Sequence, residues 1–225
     1  MTLFGRLARY LSAWAHFNQI RALDLRRQPL EDIVDRVFAY SGGFFAPIQI
    51  RSEIIGALRE IEALKPKYVL EVGTAGGGSL LLWSRVADPE ATIVTLDLPG
   101  GEFGGGSSEL RVPLFRRLPL PTQTLHLIRG DSHSPATLEL TKSYLKGHPA
   151  DFLFIDADHT AEGVRADYAM YSPLVRPGGI VGFHDIAITR PEYGVRALWT
   201  ELKQSHQTQE FLGEPLAYGI GLLRV

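Results

Sequence analysis

Three short runs hold the residues with which this sequence could do chemistry. Asp156-Ala157-Asp158-His159 and His184-Asp185 together carry three carboxylates and two imidazoles. Carboxylate oxygens suit a hard divalent cation such as Mg2+, and imidazole, with an ordinary pKa of about 6.5, exchanges protons near neutrality. The third run, Glu71-Val72-Gly73-Thr74-Ala75-Gly76-Gly77-Gly78-Ser79, offers backbone instead of side chains. Its glycines let a ligand come close to the main chain, and the first N–H groups of a following helix face the same spot. Asp97 lies roughly twenty residues further on, the place from which an acidic side chain accepts hydrogen bonds from ribose hydroxyls in nucleotide folds.

These runs can act together only if the fold brings strand ends side by side. Residues 68–72, apolar but for Glu71, break into the glycines, and the chain resumes as Leu80-Leu81-Leu82-Trp83, which predicts a buried strand, a tight loop and the first turns of a helix. Further strands are predicted at 92–96, 125–128, 151–155 and 180–183. They end in Asp97, in Arg129-Gly130-Asp131-Ser132, in the Asp156 run and in His184-Asp185. Helices are predicted at 49–64, stopped by Lys65-Pro66, from near Pro135, through Val164, Tyr168 and Tyr171, and at 195–202. Strands alternating with helices predict a doubly wound parallel sheet, whose ligands bind beyond the carboxyl ends of the strands. Two late β segments, around 211–212 and 218–223, close the chain. Residues 99–108 are too rich in glycine to hold one conformation unaided; they read either as a mobile loop that closes over substrate or as a plain connection.

Composition removes several functions. The 225 residues, 45% hydrophobic, suffice for one α/β core. A net charge of −2 without a block of like charge argues against a nucleic-acid partner. The absence of cysteine excludes disulfides, thiolate nucleophiles and zinc–thiolate sites. No apolar run approaches the roughly 18 to 20 residues of a stable membrane span, and a cytoplasmic location is expected. Leu3, Leu7, Leu11 and Trp14 recur at helical spacing, with Arg6, Arg9 and His16 off the stripe. Such a helix lies on a membrane surface or packs against protein; the lack of other membrane chemistry favours burial of Leu7, Leu11 and Trp14 against protein. A second periodic segment through Ile33, Val37 and Phe38 leads into the loop Phe44-Phe45-Ala46-Pro47.

The glycine corner separates ligand classes. No Gly-Lys-Ser/Thr ending follows, so a P-loop is excluded. The dinucleotide pattern G-x-G-x-x-G is broken, and Glu71 puts a carboxylate where pyrophosphate would repel it but an ammonium and a sulfonium would not. Glu71-x-Gly73-x-x-x-Gly77 resembles motif I of the class I S-adenosylmethionine-dependent methyltransferases. Residues 155–164 and Phe183-His184-Asp185-Ile186 resemble those of bacterial small-molecule O-methyltransferases, metal-assisted enzymes acting on sugars and natural products among them. The resemblance covers roughly residues 49–225. It implies an α/β, Rossmann-like, mostly parallel seven-stranded sheet with a terminal antiparallel β pair. Ahead of that methyltransferase domain, residues 1–48 form a helical extension of lid or packing helices, through which a homo-oligomer could form. S-Adenosyl-L-methionine would then be held by Glu71, Gly73, Thr74, Ala75, Gly77, Ser79, Asp97, Asp131, Ser132 and Asp156, with Asp131 toward the adenine amino group. Phe44, Phe45 and Gln49 would come near the corner.

The resemblance also implies transfer of a methyl group to a hydroxyl of a small-molecule acceptor, which must lose its proton during attack. His159 is the first choice of base and Asp158 the second. Asp156 and Asp185 would ligate Mg2+, with His184 as a third ligand or a group behind them. Each residue has an ordinary alternative: Asp97 ends a strand at a turn, Asp131 or Ser132 caps the next helix, and Asp158 and His159 cap or bond backbone at a helix start. Two other functions stay open. One is a nicotinamide-dependent oxidoreductase, which would use Asp97 equally well but not Glu71; the other is a non-catalytic S-adenosylmethionine-binding protein.

Overall fold

The structure is a computed structural model that describes residues 3–100, 109–214 and 218–225. Its centre is a seven-stranded sheet in the order β3-β2-β1-β4-β5-β7-β6. The strands are β1 Tyr68–Val72, β2 Thr92–Asp97, β3 Thr124–Arg129, β4 Ala150–Ile155, β5 Val175–His184, β6 Thr208–Phe211 and β7 Ile220–Arg224. The first five are parallel, whereas β7 runs antiparallel between β5 and β6. This is the Rossmann-like sheet with a terminal antiparallel pair that the motifs implied. The described part of the glycine-rich loop ends at Gly100, so residues 101–108 of that prediction lie outside the described residues.

Strand alternation divides the core in two. On one face, Val69, Ile93, Phe152, Phe154 and Ile180 pack with α4 (Arg51–Leu64), α5 (Gly78–Val86) and the helices before them; on the other, Leu70, Val94, Leu153 and Val181 pack with α7 (Pro135–Leu145), α8 (Ala161–Tyr171) and α9 (Val195–Leu202). Helix α4 buries Ile54, Leu58 and Ile61 and ends where Lys65, at φ 50°, turns left-handed ahead of Pro66. α6 (Val112–Phe115) closes the first face beside the loop between β2 and β3.

The N-terminal helices α1 (Leu3–Ala15), α2 (Phe17–Arg21) and α3 (Leu30–Ala39) contribute Ala13, Phe17, Ile20, Ile33 and Val37 to the first core. Of Leu7, Leu11 and Trp14, Trp14 alone packs against the core of this chain: Leu7 is 52% and Leu11 58% exposed. The chain bends between α1 and α2, and Tyr40 Oη donates to the Ala13 carbonyl at 2.5 Å, so the side that meets the core runs through Ala13 and Phe17. Among the described residues no helix is long and apolar enough to cross a membrane.

Registers fix where the chemistry lies. Val72 pairs with Leu96 on one side and Ile155 on the other, and Ile155 pairs with Phe183. Gly73, Asp97, Asp156 and His184 therefore emerge at one edge of the sheet. The strand order reverses between β1 and β4, and the crevice at that switch point is where such sheets hold ligands.

Candidate active site

A cavity of about 390 Å3 opens at this edge, within the usual size of small-molecule sites. One end is the loop after β1. Gly77 N donates to the Thr74 carbonyl at 2.8 Å, and Ala75 N donates to Asp97 Oδ2 at 2.6 Å, so Asp97 orders the loop while lining the cavity. Gly73 has a concrete requirement: φ is +104°, and a Cβ there would run into the Asp156 carbonyl. Arg111 anchors the loop from outside, donating to the Gly76 carbonyl at 2.9 Å and the Phe44 carbonyl at 2.8 Å.

Several of the predicted cofactor residues serve this loop from behind. Glu71 is fully buried and is not part of the cavity lining. Alternation puts it beside Thr95, whose hydroxyl donates to Glu71 Oε2 at 2.6 Å; Thr74 Oγ1 lies 2.5 Å from Thr95 Oγ1. Burial pushes the Glu71 carboxyl up to about 7, against the pull of its bonds to Thr95 and Ser79, with the charges of Asp156 and Asp97 adding to the rise. Glu71, expected among the cofactor residues, thus supports the loop through Thr95, Thr74 and Ser79 and presents no atom to the cavity. Gly77, at φ +82°, lies where a Cβ would strike the Phe115 ring. Asp131 and Ser132 do line the cavity: Asp131 Oδ1 accepts from His133 N at 2.9 Å, and the Ser132 carbonyl accepts from Tyr171 Oη at 2.7 Å.

At the ends of β4 and β5 the remaining predicted residues converge. Ligand atoms of Asp156, His159, His184 and Asp185 all lie within 4.8 Å of one another. His159 Nε2 is 3.3 Å from Asp156 Oδ1 and 3.0 Å from Asp185 Oδ2, and His184 Nδ1 is 3.2 Å from one oxygen of each aspartate. Asp185 follows His184 directly and would ordinarily point to the opposite face; φ 62° turns it back, a conformation that aspartate tolerates better than most residues. Gln49, near the corner as expected, orients Asp156 by donating from Nε2 to Oδ2 at 2.6 Å. Asp158 Oδ1 accepts from Thr160 N at 2.8 Å, and its carboxyl packs on Gly163.

Charge inside the cluster is balanced by the rings. Burial works against a charged His159, but hydrogen bonds and charges from Asp156 and Asp185 prevail and raise its pKa to about 10. Burial likewise opposes a charged His184, and the same aspartates shift it upward. Asp156, which burial alone would raise, is held down at about 2 by His184 and His159. The expectation that His159 keeps its ordinary pKa near 6.5 does not hold in this arrangement, because two carboxylates face one imidazole nitrogen. The donor set fits a hard cation, with two convergent carboxylate oxygens on a crevice wall and imidazole nitrogens beside them.

Sequence reasoning missed the wall between β5 and α9. Ile188, Arg190 and Tyr193 line the cavity, and the Tyr193 ring packs on the His159 ring with centroids 5.0 Å apart. Gly194 N donates to the His159 carbonyl at 2.7 Å, and a Cβ on Gly194 would meet Ala161. The available signal was position: a Pro- and Gly-punctuated loop directly after the His184-Asp185 strand end. His133, also missed, lines the cavity and pairs through Nε2 with the buried Asp167 at 3.2 Å.

Residues 70–186 match the family described as a methyltransferase domain. An uncharacterized protein of Sinorhizobium fredii is 25% identical over 167 residues, which is 72% of this chain and 18% of that protein. The chain thus spans under a fifth of the length of that curated relative. Among solved structures, the O-methyltransferase from Bacillus cereus in complex with SAH superposes with a TM-score of 0.58 at 19% identity, covering 88% of this chain and 91% of that one. The O-methyltransferase TomG from Streptomyces achromogenes, involved in tomaymycin synthesis and solved with SAM, gives 0.58 at 16% identity over 88% and 90%. MycE methyltransferase from the mycinamycin biosynthetic pathway, solved with Mg and SAH, gives 0.56 at 20% identity over 88% of this chain and 54% of that one.

Proposed function

We infer that this chain, which belongs to the methyltransferase domain family, transfers a methyl group from S-adenosyl-L-methionine to a hydroxyl of a small molecule. The carrying observation is the convergence of Asp156, His159, His184 and Asp185 on the cavity that the Gly73 loop and Asp97 close at its other end. Family membership decides against the nicotinamide-dependent alternative. The similar structures solved with SAM or SAH support the choice of donor, and MycE supports Mg2+.

S-Adenosylmethionine would supply an activated methyl group on a sulfonium, with Asp97 and Asp131 offering acceptors for its polar hydrogens and Gly73 and Ala75 leaving the loop open to it. Asp156 and Asp185, with His184 beside them, would hold Mg2+, which would acidify the acceptor hydroxyl and take over the compensation of carboxylate charge that His159 provides. The residues then divide the work. Gln49 fixes the Asp156 carboxylate, and Tyr193 and the Gly194 N–H hold His159 in place. Once the pull of the two carboxylates is relieved in this way, His159 is neutral, and its Nε2 accepts the proton released as the acceptor oxygen attacks. Asp158, engaged with Thr160 N, does not compete for that role.

Calorimetry with SAH, in Mg2+ and in EDTA, tests the reading, followed by transfer of labelled methyl from S-adenosylmethionine to polyhydroxylated acceptors. Binding of SAH and Mg2+-dependent transfer are expected. Folded protein that takes up neither SAH nor S-adenosylmethionine ends it.

A further inference from the structure

The cavity lining carries five aspartates, and all five have partners. Asp97 accepts from Ala75 N, Asp131 from His133 N and Asp158 from Thr160 N, while Asp156 and Asp185 face the two imidazoles. Among the described residues Arg190 is the single guanidinium in that lining; it is exposed and makes no ion pair with them. Its Cζ stands over the Tyr193 ring, 6.0 Å from the centroid, and Tyr193 in turn packs on His159. The guanidinium therefore lies on the wall that carries Tyr193 and His159. A five-donor planar cation next to a reacting hydroxyl matches one complementary chemistry, a carboxylate or phosphate oxygen pair.

We propose that Arg190 is the acceptor-recognition residue, and that the acceptor is an anionic small molecule carrying a carboxylate or phosphate group in addition to the hydroxyl that is methylated. The proposal rests on the methyltransferase reading above. The anionic group binds Arg190 along the outer side of Tyr193, and the hydroxyl then points inward to His159. Since this contact is made before and during reaction alike, it lowers KM more than it raises kcat.

Matched acid and neutral acceptors, assayed with labelled S-adenosylmethionine and Mg2+, test this. Three pairs serve: 3,4-dihydroxybenzoate and its amide, glucuronate and glucose, and glucose 6-phosphate and glucose. Where transfer is too slow to measure, calorimetry on SAH-loaded protein gives the affinities. The first two pairs report on carboxylate and the third on phosphate. At least one acid is expected to exceed its neutral partner about tenfold or more in kcat/KM or affinity. Arg190→Ala is expected to abolish that preference through KM with kcat nearly unchanged, and Arg190→Lys to restore part of it. The proposal is overturned if no acid is preferred, or if the preference survives Arg190→Ala. SAH binding measured in the same samples separates this outcome from failure of the methyltransferase reading, since only the latter would remove it.

Discussion

The loop after β1 and the cluster at the ends of β4 and β5 lie at one edge of the sheet, yet they use polar residues in opposite ways. Around the loop, Glu71, Thr95 and Thr74 face inward and bond one another, so that the loop itself presents only Gly73 and Ala75 to the cavity. At the cluster, Asp156, His159, His184 and Asp185 turn charged atoms toward the cavity and compensate one another across it. A site that needs to hold a ligand can do so with a rigid main chain, whereas one that moves a proton needs titratable groups at the reacting atom. Buried carboxylates in the two regions accordingly shift in opposite directions, Glu71 upward through burial and Asp156 downward because two imidazoles outweigh its burial.

The largest expected effect breaks the cluster alone. His159→Ala should lower turnover by on the order of 10² to 10⁴, the range of general acid–base groups, while SAH affinity measured by calorimetry stays close to wild type. A fully active variant would pass the base's role to Asp158 or to another group of the acceptor itself.

Gly73→Ala should break both regions together. An added Cβ meets the Asp156 backbone and the residue is left at φ +104°, so overpacking and backbone strain combine to roughly 2 to 5 kcal/mol of lost stability. Thermal melting should shift down by roughly 5 to 15 °C, with SAH affinity and turnover falling in parallel. Loss of affinity alone would show that the two regions are mechanically separate.

Glu71→Gln gives the smallest effect and sharpens the contrast through pH. The folded carboxyl titrates near 7 against an ordinary value of 4.5. Between those values the folded protein holds the extra proton, so wild-type stability falls as pH rises through that window and the penalty is complete above about 7. The variant lacks the penalty. Denaturant midpoints should coincide near pH 4.5 and favour Glu71→Gln by on the order of 3 kcal/mol at pH 8. A difference independent of pH would mean that Glu71 keeps one charge state throughout and supports the loop as an ion.

What the sequence determined by itself was local. An apolar run breaking into glycines, and acidic or histidine residues closing short apolar runs, specify strand, turn and strand end from neighbouring residues, which is why Gly73, Asp97, Asp156, His159, His184 and Asp185 are legible in the order of residues alone. Tertiary structure decided their roles. Pairing of Glu71 with Thr95 across β1 and β2 buried a carboxylate that the motif would place on the ligand. The β4–β5 register, with the left-handed turn at Asp185, put two carboxylates on one imidazole nitrogen and so reversed the protonation expected of His159. Arg111 and Gln49 bond a backbone carbonyl and a carboxylate far along the chain, and Arg190 and Tyr193 reach the cavity on a loop whose Tyr193 packs on His159. Periodicity and spacing carry no trace of such contacts, because pKa and recognition depend on distances through space that only the packed sheet sets.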